Sequence, residues 1–465
     1  MCQAGESHHH RPRSLFSRLA ASGADELKCQ IRRLIAIRFL LYMGAMGSFY
    51  IGVLGTLTYA MAGGATDNAV AVALINLLIT VGGVQSGQLL DRLGPRVHLR
   101  ICITLMVVCG LAYQVLGTFT AGVFLGAAFF GLAWGMADIV QRAYPAYLTD
   151  NADELKRINA TVAIAGNIAL VIGPTIGGAI VLAAPTRMVF LFMVACSALA
   201  IVPGWGFRPL RTPDEGRADE RTGEGEALGR SDGSEGVGGS GVTHTTRKKG
   251  SIIAGFSQIF GSGVLTLLFW ATLLSFMGYG AFDPLESLFY RDVLRVGASW
   301  MGWLSALSGV GGIAGALLAG VLPARHVNVR SLLVVLALSG VGSLIYVGTP
   351  YVAVACAGQL LLGVAFSAFG PIKDTLVQVH TPLSSIGRVN AAMSAGYNVA
   401  GVLPLLCAPA LAAIFGVQGT LVGAALVVAL VPTSIILLRH RALTEMVLAE
   451  RVSRLRADGA GSTAE

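Results

Sequence analysis

Long apolar runs alternate with short polar segments along almost the whole chain. Each run is about 20 residues long, the length that an α-helix needs to cross the hydrocarbon core of a bilayer. A helix of this kind satisfies its own backbone hydrogen bonds in lipid, so the pattern predicts an all-α membrane protein with twelve transmembrane helices. The predicted spans are 39–62, 68–90, 99–117, 121–143, 162–183, 188–207, 264–288, 300–322, 332–348, 352–369, 391–415 and 420–438.

One polar segment divides the spans into two groups of six. Residues 208–250 are rich in Gly, Ser, Glu, Asp and Arg and nearly lack large apolar residues, which predicts disorder. Residues 251–260 are mildly amphipathic, so we expect them to lie along the membrane interface. The predicted organisation is an N-terminal arm (1–38), a six-helix bundle (39–207), a linker (208–260), a second six-helix bundle (261–440) and a tail (441–465).

The two halves share a weak internal repeat. An Arg-x-Asn-Ala motif at 157–160 recurs at 388–391, and each copy precedes an odd-numbered span. At the same offset, Asn167 corresponds to Asn398. A parallel repeat of six helices is typical of transporters built from two bundles about an axis normal to the membrane.

Composition and charge support a membrane protein and exclude a nucleic-acid-binding one. Apolar residues make up 54% of the 465 and charged residues only 12%, where a soluble protein has about 25%. The net charge of +8 is unevenly distributed, because only Arg187, Arg291 and Arg295 fall on the side opposite the N-terminus. By the positive-inside rule both termini are cytoplasmic, and we expect a multi-pass protein of a bacterial cytoplasmic membrane.

The sequence contains no signature of a metal site, a cofactor or an ATPase. Seven cysteines are scattered without metal-ligand spacing, and no phosphate-binding G-x-x-x-x-G-K-[ST] motif occurs. No cluster of His, Cys and carboxylate residues lies at catalytic spacing. We therefore expect no enzyme activity, no cofactor and no bound metal, and an ion gradient as the source of energy.

A charged turn separates the second and third spans. Its residues are Gly87, Asp91, Arg92, Gly94 and Arg96, in the pattern G-x-x-x-D-R-x-G-P-R. The Asp91 carboxylate can face the positive N-terminal end of another helix, an interaction of about 0.3–1 kcal/mol. The alternative is a surface turn that only obeys the positive-inside rule.

A second motif lies in the fifth span, at Gly173, Pro174, Gly177 and Gly178. Proline frees a backbone carbonyl and kinks the helix, while the glycines allow close helix contact. Such a face can act as a seal and a pivot. The alternative is an ordinary kink with small-residue packing.

These two motifs resemble those of the major facilitator superfamily of secondary transporters. The second is similar to the G-x-x-x-G-P-x-x-G-G motif of its exporters, with Ala169 in place of the first glycine. Together with 144–148 and 157–160, it makes nearly the whole chain most similar to the drug and siderophore exporters. The resemblance implies two bundles that rock about a central site, and it implies that Asp91 faces the start of the eleventh helix when the transporter faces outward.

Asp283 and Glu286 are carboxylates late in the seventh span, on either side of Pro284. Ionisable residues at membrane depth are costly and are candidates for function. A desolvated carboxylate at this place can exchange protons with the solvent, which would couple transport to a proton gradient. The alternative is an extracellular gate in which they pair with Arg187, Arg291 or Arg295.

Further charged residues lie at the cytoplasmic ends of spans. Asp138 and Arg142 are four residues apart on the fourth span, and Lys373 occupies the position that matches Arg142. With Arg388, they are candidates for a cytoplasmic gate in which Asp138 pairs with Arg92 or Arg96. Proton coupling is the alternative for this group.

Polar and aromatic residues within the spans are candidates for a substrate cavity. The alternative is that they join helices or face lipid. The candidates are Asn167, Asn398, Gln114, Gln359, Tyr50, Trp134, Phe276 and Tyr279.

The sequence thus predicts a monomeric exporter of an amphiphilic small molecule, such as a drug, a siderophore or a secondary metabolite. The resemblance implies proton antiport by alternating access. One alternative is an importer of a sugar or metabolite with the same fold. Another is a membrane sensor or scaffold that transports nothing.

Overall fold

The computed structural model describes residues 15–149, 151–210, 252–323, 326–381, 386–439, 441 and 443–445, and these contain helices and no strand. Residues 1–14, most of the predicted linker and most of the tail lie outside the described residues. We number the membrane helices α1 to α12. They are α1 (Leu15–Gly47, continued by the π-helical Ser48–Ala60), α2 and α3 (the two arms of Ala65–Leu116), α4 (Thr120–Ala143), α5 (Ala152–Ile180), α6 (Val189–Trp205), α7 (Gly263–Tyr279, continued by Phe282–Leu288 and the π-helical Phe289–Val293), α8 (Ser299–Val321), α9 (Val329–Val347), α10 (Val352–Val379), and α11 and α12 (the two arms of Ile386–Leu438).

The number of spans predicted from the sequence is confirmed. Eleven segments of the described part are long and apolar enough to cross a membrane. The last of them, Ala400–Leu438, is 39 residues long and is broken at Gly416 by a φ of 73°. At 1.5 Å per residue this segment is about twice as long as one crossing requires, so it holds both α11 and α12.

Helix α1 begins well before the first predicted span. The helix starts at Leu15 rather than near residue 39, where the predicted span begins. Leu34, Ile37 and Leu41 follow each other at helical spacing and are fully buried. Burial of this apolar face extends the helix in spite of Arg38, which lies between Ile37 and Leu41.

The helices form two bundles with separate apolar cores. In the first bundle, α1 packs against α5 and α6, and α4 packs against the α2–α3 hairpin. In the second bundle, α10 packs against α8 and α9, while α7 and α9 pack against the α11–α12 pair. The short helix Ile252–Gly261 adds Ile259 to the second core, so the amphipathic run predicted there is helical.

A third apolar core joins the two bundles at one end of the molecule. We call this the far end; it holds the loops 61–64 and 294–298, and the opposite end, which holds the residues next to the linker, is the linker end. The shared core contains Leu54 of α1, Val72 of α2, Phe289 of α7 and Leu405 of α11. The other core clusters each lie within one bundle. The described structure is therefore closed at its far end.

Candidate functional site

Helix α7 is interrupted just before its two carboxylates. Regular helix ends at Tyr279 and resumes at Phe282. Gly280 lies against the backbone of Gly401 on α11, where a side chain would approach the Gly401 Cα to 3.0 Å. The break separates the short segment Phe282–Leu288 from the rest of α7, so this segment carries Asp283 and Glu286 as a unit.

Asp283 faces the space between the two bundles. Its side chain is exposed, although Phe282 and Pro284 on either side of it are buried. The half-buried Tyr50 on α1 of the other bundle lies close enough to interact electrostatically with both Asp283 and Glu286. A carboxylate in the lipid would be very costly, so an exposed carboxylate on this helix belongs to the interior.

Glu286 lies in a cluster of hydroxyl groups within the second bundle. Its Oε1 lies within hydrogen-bond distance of the Tyr290 hydroxyl, at 2.9 Å, and of the Tyr346 hydroxyl, at 2.6 Å. The Gln359 amide on α10 donates to the same oxygen at 3.4 Å. The sequence candidates Glu286 and Gln359 therefore meet, but in the wall of the interior rather than in open space.

A buried polar cluster joins the two bundles at the far end, next to these carboxylates. The Asn68 amide on α2 donates to Thr58 Oγ1 at 3.1 Å, to Ser287 Oγ at 2.9 Å and to the Pro284 carbonyl at 3.0 Å. The hydroxyls of Thr58 and Ser287 lie 2.8 Å apart. We call these four residues the far-end latch. It ties α1 and α2 to the short segment of α7.

Arg291 on α7 also links the two bundles at the far end. Its guanidinium donates to the carbonyls of Thr58 at 2.6 Å and Gly63 at 3.0 Å, and it pairs with Asp292 at 2.7 Å. The alternative in which Arg291 pairs with Asp283 or Glu286 is therefore wrong, because the guanidinium is turned toward the backbone of the other bundle. Arg291 is nevertheless part of a far-end closure.

The glycine-proline motif of α5 packs against two helices at once. Gly173 and Gly177 lie against Gly47 on α1 of the same bundle. Gly178 lies against Gly302 on α8 of the other bundle, where a Cβ would approach the Ser299 carbonyl to 2.7 Å. Only glycine permits this approach, so the motif forms the close helix contacts that the sequence predicts.

A charged cluster occupies the linker end of the first bundle. Arg38 on α1 pairs with Asp138 on α4 at 2.6 Å, and Arg142 pairs with the other oxygen of Asp138 at 2.7 Å. In the described state these two arginines take the place of Arg92 and Arg96, the partners that the sequence predicts for Asp138 in a gate. Because α1 extends past the predicted boundary, it brings a buried arginine, with 8% of its side chain exposed, against that carboxylate.

The charged turn between α2 and α3 lies at the linker end. Gly94 has a φ of 75°, so the turn requires glycine, and no atom lies within 4 Å of the place of a side chain on Gly87 or Gly94. Arg92 is exposed, and Arg96 donates to the Trp205 carbonyl at 3.4 Å. The side chains of Asp91, Arg388 and Asn398 lie outside the described residues. Lys373 pairs with Asp374 at 3.2 Å.

The remaining cavity candidates divide into packing residues and interior residues. Gln114 joins α3 to the Arg187 carbonyl at 3.2 Å, and the buried Trp134 packs on Tyr42 at 5.1 Å, so both make contacts between helices. Phe276 and Tyr279 form an aromatic cluster with Phe366 of α10, which is 48% exposed. Asn167 is exposed on α5.

Several residues of these clusters carry no signal in the sequence. Tyr290 and Tyr346 are aromatic residues within apolar runs, and Asn68 marks only the start of a span. Arg38 lies where an apolar run begins and looks like an ordinary basic flank. Their roles depend on contacts between distant parts of the chain, so periodicity alone does not reveal them.

Comparison with known proteins gives a clear match at the family level. A model of the Major Facilitator Superfamily matches residues 34–325 and 268–454 of the chain. No curated protein matches the sequence.

Solved structures with the same fold are distant in sequence. A POT family transporter in complex with 5-aminolevulinic acid has a TM-score of 0.61 at 13% identity, over 88% of this chain and 95% of that one. The nucleoside transporter NupG has a TM-score of 0.61 at 13% identity, over 88% of this chain and 99% of that one. A peptide transporter POT in complex with sulfate has a TM-score of 0.59 at 14% identity, over 90% and 95%. At such identities the likeness shows the fold alone.

Proposed function

Because the chain belongs to the Major Facilitator Superfamily, we propose that it exports an amphiphilic small molecule in exchange for protons. The setting is a bacterial cytoplasmic membrane with both termini in the cytoplasm, so the linker end faces the cytoplasm. The described state then faces inward, since the far end is closed by the shared core and the latch. In this state, substrate enters from the cytoplasm.

The observation that carries the proposal is the exposed carboxylate of Asp283 in the interior. A carboxylate at this depth attracts a cationic group. Aromatic side chains nearby, Tyr279 and Phe366, offer faces for an apolar or cationic body. This combination suits an amphiphilic cation. In an outward-facing state Asp283 would release the substrate to the outside, and a carboxylate of α7 would take up a proton.

Asp91, Arg92 and Arg96 have the role of a linker-end gate in this mechanism. When the far end opens, the linker end must close, and Asp91 then faces the start of α11. The glycine contact between Gly178 and Gly302 is the pivot about which the bundles turn.

The test uses ethidium, a fluorescent amphiphilic cation, with inside-out vesicles from bacteria that express the chain. An exporter accumulates ethidium in these vesicles when a proton gradient acidifies their interior. The Asp283→Asn variant should lose at least nine-tenths of this accumulation, while Asp67→Asn, at the surface of the far end, should retain it. Accumulation that survives a protonophore, or that Asp283→Asn leaves intact, would contradict the proposal.

A second candidate is an importer of a polar metabolite. It is favoured by the structural neighbours, which are a nucleoside transporter and transporters of the POT family. Uptake of labelled uridine or 5-aminolevulinic acid into right-side-out vesicles, without ethidium accumulation in inside-out ones, would favour this candidate.

A further inference from the structure

Three oxygen atoms of the second bundle form a closed triangle. They are Glu286 Oε1 and the hydroxyl oxygens of Tyr290 and Tyr346. The separations are 2.9 Å between Glu286 and Tyr290, 2.6 Å between Glu286 and Tyr346, and 2.6 Å between the two tyrosines. All three are hydrogen-bond distances for oxygen pairs.

Three hydrogen bonds need three protons, and the two tyrosines supply only two. If Glu286 is ionised, both hydroxyls can donate to it, but the two tyrosine oxygens then face each other with no proton between them. Any other arrangement of two protons leaves a different pair of oxygen atoms without a proton between them. A third proton, on Glu286, completes the ring: Tyr290 donates to Glu286, Tyr346 donates to Tyr290, and Glu286 donates to Tyr346.

The surroundings of the triangle also disfavour a charge on Glu286. No Lys, Arg or His in the described part forms a salt bridge with this carboxylate, and Arg291 on the next turn is held by Asp292 and by α1 carbonyls. The groups that face it are Gln359 from α10, Asp283 from α7 and Tyr50 from α1. The Gln359 amide can stabilise an ionised carboxylate, but the neighbouring Asp283 and the lack of a cationic partner in the described part disfavour two negative charges at this place.

The triangle joins α7 to α9, so movement of α7 against α9 would open it. Glu286 and Tyr290 lie on the segment of α7 that follows the break at Gly280, whereas Tyr346 lies near the end of α9. The same segment is tied to the other bundle by the latch, through Pro284 and Ser287. Motion of the first bundle at the far end would therefore shift Glu286 and Tyr290 relative to Tyr346. Glu286 is only partly buried, so a proton can reach it from the interior.

We propose that the triangle of Glu286, Tyr290 and Tyr346 is the binding site of one coupling proton. This inference rests on the proposed function and divides the two carboxylates of α7: Glu286 holds the proton, and Asp283 contacts the substrate. The proton is taken up from outside while the far end is open, and the ring encloses it when the far end closes. It then leaves through the interior to the cytoplasm when the ring is broken. One proton is taken up and one released in each cycle.

Infrared spectroscopy of the purified protein tests the site without any substrate. The wild type should show the carbonyl band of a protonated carboxylic acid at neutral pH. Glu286→Gln should abolish this band, Asp283→Asn should retain it, and Tyr346→Phe should shift it to higher frequency because the acid loses a hydrogen bond. A band that disappears in Asp283→Asn but persists in Glu286→Gln would overturn the assignment, as would the absence of any band in the wild type. If Glu286→Gln does not fold, a band that Tyr346→Phe leaves unshifted overturns the assignment equally.

A transport measurement separates this proposal from the proposed function. Glu286→Gln should lose ethidium accumulation driven by a proton gradient at least tenfold, but should still exchange labelled for unlabelled ethidium across the vesicle membrane. Loss of both activities, in a variant with wild-type thermal stability, would contradict a role limited to the proton. If ethidium is not transported at all and the infrared assignment holds, the proton site stands and the choice of substrate fails.

Discussion

The side-chain amide of Asn68 on α2 donates a hydrogen bond of 3.0 Å to the carbonyl of Pro284 on α7. This bond crosses from one bundle to the other, and it ends on the residue that follows Asp283. It therefore connects closure of the far end with the position of both carboxylates on the short α7 segment. Opening of the far end and movement of these carboxylates are one event.

The latch should hold the far end closed, so Asn68→Ala should open it. Loss of a buried hydrogen bond costs about 1 kcal/mol, equivalent to about a fivefold change in the balance of closed and open forms. We expect a membrane-impermeant maleimide, applied from the far end, to label a cysteine placed at the buried Leu54 about fivefold faster or more. The background should lack the native cysteines. Asn76→Ala, which changes an exposed asparagine of the same helix, is the control. Equal labelling in both variants would refute the latch.

The contact of α5 with α8 should not tolerate one added methyl group. In Gly178→Ala, the Cβ would lie 2.7 Å from the Ser299 carbonyl oxygen and 2.9 Å from the Gly302 Cα. Overpacking of this kind costs about 1–3 kcal/mol. We expect a lower midpoint of thermal unfolding in detergent and a loss of ethidium transport.

Gly423→Ala is the matched control for this contact. No atom lies within 4 Å of the place of its side chain on α12. Alanine has the higher helix propensity, so stability should stay equal or rise by up to about 1 kcal/mol. A similar loss of stability in both variants would show that the effect is not specific to the α5–α8 contact.

The two arginines that bind Asp138 should differ strongly in their contribution to stability. Asp138→Asn leaves the buried Arg38 without a charged partner, which costs about 3–5 kcal/mol. Arg142, whose side chain is 66% exposed, binds the same carboxylate, but Arg142→Ala should cost less than about 1 kcal/mol. Chemical unfolding of both variants in detergent measures the difference. Equal costs would mean that burial does not govern the interaction.

The arrangement of helices could be predicted from the sequence because apolar runs of sufficient length have few alternatives in a membrane. The start of α1 could not be predicted in this way. Arg38 interrupts the apolar pattern, and only its pairing with Asp138, 100 positions away, explains why the helix continues through it. The local pair of Asp138 and Arg142 was predictable from its spacing of four residues.

The candidate site could likewise be predicted only in part. Asp283 and Glu286 stand out in the sequence because carboxylates are rare in apolar helices. The partners of Glu286 do not, since Tyr346 lies on a helix 60 positions away and looks like any aromatic residue of a membrane span. Which of the two carboxylates faces open space, and which lies among hydroxyl groups, depends on the helices packed around the segment. Tyr346 and Gln359 reach Glu286 from two such helices, and both are distant from it in the sequence.

The crossing of Gly178 and Gly302 also constrains how this protein can diverge. The two halves have kept little in common, and over most of their length a substitution in one of them meets only neighbours from the same half. At this crossing, each glycine makes room for the backbone of the other half. A larger residue at either position would clash with the opposite helix unless that helix had already moved away. Selection therefore acts on the two positions as a pair. Descendants of this chain should keep both glycines or lose them together.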